Sequence, residues 1–501
     1  LRGRLALRAI ELTGFRLAAR RDAAGGFAFG FAGTAEAEGH GAPPTADQAL
    51  TEILTAWLAP PTDDTALSAL RRIELVDARL AVADARSGRF WSASLAQLVL
   101  DRHSTGGLDF AGRATVQVAD ENIPIDIAAS LAGELWRGEA SLSARRLHPK
   151  ILAGISPEFA ALGALEAEVD ISLIARFAGA STPDLLMARL RTGAGQLHIP
   201  DDGGHLPFAA LSLDATLAED VVRIERLAFS AVPSPRAGAP APPVITAQGE
   251  ARLQEGRWRA SAGLSLRALD IADLTHYWPP SVAPKPREWL AENLTAGMLE
   301  EGQWRIEASI GLDGNAPEIT TLEGEARARG VTAHWLRPIL PIEAVDGRAK
   351  FSLNLIEIDI TSWMQAGTQV KIDSGNLKIS FATDPEITTL EAKLSGPLAE
   401  AWAVLRHPRL KIFENRPPPI NDPTGHLQQA TLRLVFPLIK TLDIEDIDIQ
   451  AELAVQDLRI PRLAFNRDLE RGVAMVSVRN TGLTVNGCLL YTSPSPRDQR
   501  G

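Results

Sequence analysis

Period-two alternation of apolar and polar residues runs through most of the chain and constrains its fold more tightly than any other feature. In RAKFSLNLIEIDI, residues 348–360, Phe351, Leu353 and Leu355 alternate with Ser352 and Asn354. The phase then flips, and Ile356, Ile358 and Ile360 alternate with Glu357 and Asp359. Such alternation marks a strand with one apolar and one wet face. The flip predicts a tight turn or a bulge near Asn354–Ile356. A similar flip occurs in RIELVDARLAVAD (72–84), where Ile73 and Leu75 share one phase and Ala78, Leu80 and Val82 the other.

Strand-like runs recur, divided by turn signals every 8–12 residues, which predicts a large antiparallel meander of about 25–30 strands. Residues 112–144 read as three short strands turning at Asp120–Asn122 and near Gly133–Gly138. Residues 209–231 read as a hairpin turning at Ala218–Asp220, and 246–267 turn at Glu255–Gly256. TQVKIDSGNLKISF (368–381) is expected to turn at Ser374–Asn376. The loop VPSPRAGAPAPPV (232–244) is expected to be a solvated excursion. Short helices are expected at 45–59, 284–297 and 397–408, the last two set off by prolines.

Composition excludes several classes. The 501-residue chain is 45% hydrophobic with a net charge of −11, which argues against a nucleic-acid partner. No apolar run reaches the ~18–20 residues of a membrane span. The one cysteine, Cys488, lies in CLLYTSPSPRDQRG, which breaks the strand pattern and resembles translated adapter sequence. That tail is set aside, and the remainder has no thiol chemistry. The chain opens at Leu1 without Met, so an upstream piece is expected.

Chemistry-bearing motifs are missing from the sequence. There is no G-x-S-x-G, no glycine-rich phosphate loop and no H-E-x-x-H. The acids of DIEDIDIQ, among them Asp446 and Asp448, read as the wet face of a strand rather than convergent metal ligands. HIPDDGGH (198–205) gathers His198, Asp201, Asp202 and His205, but reads as a turn. The expectation is a non-enzyme with no cofactor and no metal.

Residues 273–310 contain Tyr277-Trp278-Pro279, then Trp289-Leu290 with Asn293-Leu294, then Gly297 and a return to strand. This stretch resembles the central region of YhdP-type members of the AsmA-like superfamily. Residues 340–358, 435–460 and 75–91 are similar to other segments of such proteins. The resemblance covers most of residues 65–487. It implies a periplasmic body in a Gram-negative envelope, anchored in the inner membrane by an N-terminal helix that would lie upstream of Leu1. It also implies a long twisted β-sheet curled into a groove that carries phospholipid towards the outer membrane.

The residues themselves make a groove physically reasonable. A single wide sheet exposes far more apolar surface than the ~300–600 Å² patch that soluble monomers tolerate. Either two sheets pack as a sandwich, or one sheet curls and something apolar fills the trough. A lipid tail suits the trough, because exposing 16 carbons to water costs about 13 kcal/mol at ~0.8 kcal/mol per CH₂. The fold expected is therefore mainly β: a long twisted antiparallel meander curled into an elongated hydrophobic groove, with a few short helices at rims. Candidate groove-lining residues are Phe351, Leu353, Ile358, Ile360, Val370, Ile372, Leu377 and Ile379. The alternative is a structural or adhesive β-sandwich with a dry core. The chain is divided as 1–65 (N-terminal strand and helix), 66–270 (first groove segment), 271–345 (helical segment returning to strands), 346–487 (second groove segment) and 488–501 (tail).

Overall fold

The computed structural model describes residues 7–21, 27–31, 58–61, 69–84, 89–118, 121–133, 136–153, 162–180, 182–199, 204–280, 284–311, 318–413, 418, 420–439, 442, 444–464, 467–480, 482–488 and 491–492. Among the described residues the protein is mainly β, with 68% strand, 10% helix and only short helices. It divides into two compact units. One comprises Leu1–Val232, Thr246–Ala260 and Gly311–Asp313; the other comprises Pro233–Ile245, Ser261–Ile310 and Gly314–Gly501.

The first unit begins with β1 (Ala9–Thr13), β2 (Arg16–Arg21) and β3 (Phe27–Phe31), and continues with β4 (Arg72–Asp84), β5 (Arg89–Arg102), β6 (Leu108–Val118), β7 (Glu121–Ala132) and β8 (Arg137–Leu147). After a one-turn helix α1 (Pro149–Ala153) come β9 (Leu165–Glu166), β10 (Val169–Ala178), β11 (Leu185–Thr192), β12 (Gly195–His198), β13 (His205–Ala218) and β14 (Val221–Ala231). From β4 to β8 each strand pairs antiparallel with the next; the ladder then runs β8–β10–β11–β13–β14. β9 and β12 continue the lines of β10 and β11 past a break and complete the ladder on β13. At the N-terminal edge the meander departs from expectation, because β1 and β2 both lie parallel to β4. Alternation cannot reveal strand direction, so the sequence carries no sign of this.

β15 (Val244–Gln254) and β16 (Arg257–Asp270) flank the expected turn at Glu255–Gly256. In the second unit, helices α2 (Leu274–Tyr277) and α3 (Pro284–Asn293) precede β17 (Leu294–Gly311), β18 (Glu318–Ala333), β19 (Ile342–Ser352), β20 (Leu355–Gln365), β21 (Lys371–Ser380) and β22 (Ile387–Pro397). After α4 (Leu398–Leu405) follow β23 (Thr424–Pro437), β24 (Asp448–Ala464), β25 (Arg467–Arg479), β26 (Gly482–Cys488) and β27 (Tyr491–Thr492). Each strand from β17 to β26 pairs antiparallel with the next. No pairing among the described residues joins β26 back to β17, so this ladder is not a closed barrel. Extensive strand–strand contacts occur only between hydrogen-bonded neighbours. Among the described residues, neither unit carries a second sheet layered on the first.

The phase flips of the sequence are turns and bulges. Leu353 and Asn354 form the two-residue turn between β19 and β20. In the second unit, register shifts occur at Ala328/Val331, Asp346/Gly347, Ile372/Ser374, Leu394/Gly396, Leu427/Gln429 and Val455/Leu458. These stretches lie opposite one another on successive strands, so the bulges align into one crease across the ladder. A bulge leaves two neighbouring residues on one side and sharpens the local twist, bending the strand there. Along the crease the apolar face closes on itself, burying Ala326, Val331, Ile360, Ala392, Leu427, Ala430, Val455 and Leu458. Ala344 and Asp457 adopt left-handed backbone at such positions, with φ of 52° and 51°. The first unit has a comparable line, where the break between β9 and β10 lies beside that between β11 and β12. Leu165, Ala167, Val169 and Phe208 form its buried cluster.

Several expectations are corrected. Ser374–Asn376 is a bulged part of continuous β21 rather than a turn, because Gly375 lies opposite Ile360 within the ladder. Asp446 sits in a 3-10 turn and Asp448 opens β24, so the two do not share a strand face. The 232–244 loop is tied down at Ser234 and Arg236, as described below. In the tail, Cys488 closes β26 and Tyr491–Thr492 pairs with Leu469–Glu470, since an open sheet edge accepts any β-competent segment. The helix expected at 45–59 lies outside the described residues except at its last two positions, of which Leu58 is fully buried.

Candidate functional site

The apolar face of the second unit follows from register, because residues directly opposite in a ladder share a face. Phe351 lies opposite Ile356; Ile358 lies between Ala349 and Leu377; Ile356 also faces Ile379. Ile360 lies between Gly347 and Gly375. Six of the eight sequence-derived residues, Phe351, Ile358, Ile360, Ile372, Leu377 and Ile379, thus fall on one surface. Ile372, past the bulge, stays on it between Trp363 and Leu394, while Asp373 and Ser374 are both exposed on the other side. Val370 is buried at the β20–β21 connection, where its carbonyl accepts the Gln365 N–H at 3.1 Å. Leu353 lies in the turn beyond the paired register and is 43% exposed.

The same face extends well beyond those residues. Leu377 pairs with Leu390, Leu390 with Leu434, and Leu432 with Ala451. Leu453 pairs with Val476, and Ala451 with Val478. The missed residues had a plain signal, since Ala430, Leu432, Leu434 and Phe436 alternate strictly in β23. Most of this face is half-buried, as expected of a surface lined by its own neighbours but covered by no second layer. In one place aromatic area replaces missing side chains. The Trp304 indole lies across Gly302 and Gly324, where an added Cβ would come within 2.3 and 2.2 Å of the ring. Its ring centroid is 6.3 Å from that of Phe351.

The opposite face is charged and laced across strands. Lys378 Nζ lies 3.1 Å from Glu357, Arg348 Nε 3.1 Å from Glu325, and Arg433 Nε 3.2 Å from Glu391. Asn376 donates to Glu357 at 3.1 Å and to Asp359 at 2.7 Å. The bond from Lys378, followed by that from Asn376, holds the Glu357 carboxyl below its ordinary range. These pairs are solvent-exposed and screened, so their chief effect is to make this face wet. The first unit repeats the division. Phe110, Leu100 and Ala129 share a face, while Arg189 and Arg191 both reach Asp214 at 3.0 Å on the other.

One polar node is buried. Asp273 is 4% exposed and accepts bonds from Arg236 Nε at 2.9 Å and Nη2 at 3.0 Å and from Ser234 Oγ at 2.7 Å. Arg236 also reaches Asp270. These bonds pin the proline-rich loop, which sequence composition marked as solvated. The Arg236 guanidinium, chiefly, holds the Asp273 carboxyl below its ordinary range. His198 and His205 stand opposite across β12 and β13 with ring centroids 5.0 Å apart, and no group of three metal-competent side chains forms among the described residues. No described helix is long and apolar enough to cross a membrane.

The two faces define a class of protein: single-layer, bulge-creased β-sheets with one continuous apolar side and one charged side. Comparison with family models, with curated proteins and with solved structures finds no match for the chain.

Proposed function

We propose that the protein shields phospholipid acyl chains on the apolar face of its sheet and serves as a lipid conduit in a Gram-negative cell envelope. Its periplasmic body would lie between an inner membrane that anchors it and the outer membrane. The observation that carries this reading is the uncovered inner face of the second unit, apolar from Trp304 on β17 to Val478 on β25. An uncovered face of that extent requires an apolar occupant, and acyl chains supply one without a specific pocket. The reading assigns no catalytic residue and no cofactor. Two readings compete at the level of the interior: a lipid-filled face and a dry interface with other protein.

The test is lipid occupancy with positional resolution. Organic-solvent extraction of the purified full chain is expected to release several phospholipids per molecule with little headgroup preference. A photo-crosslinker at Ile358 or Leu377 is expected to capture lipid, while one at Glu357 or Lys378 is not. A folded, soluble and lipid-free preparation would defeat the proposal and favour a structural or adhesive role.

A further inference from the structure

We infer that the helix-bearing rim of the second unit is a docking surface for an anionic lipid bilayer. This rests on the conduit reading, to which it adds a membrane-contacting edge.

The strands of this unit end on two rims. On one, α3, the connection 334–341 and the stretch following α4 lie side by side. The His334 N–H donates to the Asn293 carbonyl at 2.8 Å, and Arg337 Nη2 donates to the Glu292 carbonyl at 2.7 Å. Arg409 Nε donates to the Arg337 carbonyl at 3.2 Å, and Gln365 Nε2 to the Leu340 carbonyl at 2.8 Å. This bonded surface exposes Trp289 at 57%, Trp335 at 44%, Leu340 at 55% and Leu405 at 43%. Large apolar side chains are thus left in water on segments whose backbone is tied in place.

Charge selects the occupant. Residues 284–293, 334–341 and 405–413 carry six Lys or Arg against two Glu, and with Asp422, paired with Arg406 at 3.1 Å, and Glu400, bonded to Gln369, the rim keeps an excess of two positive charges in a chain whose net charge is −11. Tryptophan beside Arg and Lys suits the headgroup layer, where the ring sits at the interface and the cations meet phosphate. The opposite rim also exposes apolar side chains, Leu353, Phe381, Leu438 and Ile439. There, however, Asp384, Glu386 and Glu445 accompany them, and an anionic surface would be repelled. Of these two rims, as far as their described residues go, the helix-bearing one combines apolar anchors with a positive excess.

The experiment is vesicle flotation of the full chain, using phosphatidylcholine vesicles with and without phosphatidylglycerol. Binding is expected only with phosphatidylglycerol, and is expected to be lost in about 0.5 M salt, where screening shortens to a few Å. The triple variant Arg337→Gln, Arg409→Gln, Lys411→Gln is expected to bind about a hundredfold more weakly, at about fivefold per basic residue lost. It is expected to keep its circular dichroism and its co-purifying phospholipid. Equal binding to both vesicle types overturns the inference, as does undiminished binding by the folded triple variant. Capture of acidic proteins without vesicle binding also overturns it and assigns the rim to a protein partner. A lipid-loaded chain that binds no vesicle defeats the rim alone, whereas a lipid-free chain that binds phosphatidylglycerol vesicles defeats the conduit and leaves the rim.

Discussion

Placing an aspartate at position 358 rather than 360 separates a lipid-lined face from a dry core. Ile358 is half-buried between Ala349 and Leu377, and its outward side meets no second layer. Full burial of such a side chain is worth ~1.5–3 kcal/mol, so the half that is buried accounts for about 1 kcal/mol. Lost strand preference and cross-strand pairing add about 1 kcal/mol. Ile358→Asp is therefore expected to lower the stability of the lipid-free protein by about 2 kcal/mol and leave it folded. Ile360 is only 8% exposed, at the crease between two glycines. Ile360→Asp buries an unpaired charge and is expected to cost about 4 kcal/mol or more. In the Ile358→Asp variant, an acyl chain passing over the new carboxylate must strip it of water, at about 3 kcal/mol or more, which slows transfer about a hundredfold. Urea unfolding and transfer of a fluorescent phospholipid between vesicles measure the two effects on the same samples. If Ile358→Asp destabilises as severely as Ile360→Asp, the face is packed against protein. If it transfers lipid at the parental rate, the face is not the path.

Four further outcomes follow from the geometry. Gly324→Val is expected to displace the Trp304 indole and cost about 1–3 kcal/mol, read by urea unfolding with a change in tryptophan emission. Asp273→Ala is expected to cost about 2–3 kcal/mol by removing charge-assisted bonds, and to make the 232–244 loop cleavable by protease. Because the Asp273 carboxyl titrates lower in the folded state, the unfolded chain takes up the proton first as pH falls. Its contribution is thus complete above pH ~5 and shrinks below, so parent and Asp273→Asn are expected to converge in stability on acidification. Ala344→Gly is expected to raise stability by about 1 kcal/mol, since only glycine accepts φ near 52° without strain; thermal unfolding measures it.

How much was legible in the sequence depended on whether a feature is local. Alternation at Phe351, Ile358, Leu377 and Ile379 sufficed to put them on one surface, because a two-residue turn preserves parity between paired strands. The flip at Asp77 was visible, and this residue has a φ of 51° in the middle of β4. Ser374-Gly375-Asn376 misled, because turns and bulges draw on the same residue types and only the partner strand distinguishes them. Leu353 misled for the converse reason, since alternation continues past the paired strand into a turn. The clamp on Asp273 was invisible, because its partners at 234 and 236 lie more than 30 residues away and meet it only through tertiary folding. So was the alignment of the bulges, which is a property of many strands at once.

The neighbour-only pairing of the second unit makes it close to one-dimensional. Each strand from β18 to β24 answers only to the strand before and the strand after it, so cohesion accumulates hairpin by hairpin, as in a repeat array. Loops to be closed are short for an all-β protein, which favours rapid assembly from any point along the chain. A strand emerging during synthesis finds its template already laid down, and growth is directional without a separate nucleus for each part. Damage also stays local: a lesion that unseats one hairpin leaves two shorter ladders rather than an unfolded unit. The same property lets such a sheet lengthen or shorten by whole hairpins, because no distant strand has to be redesigned to receive them.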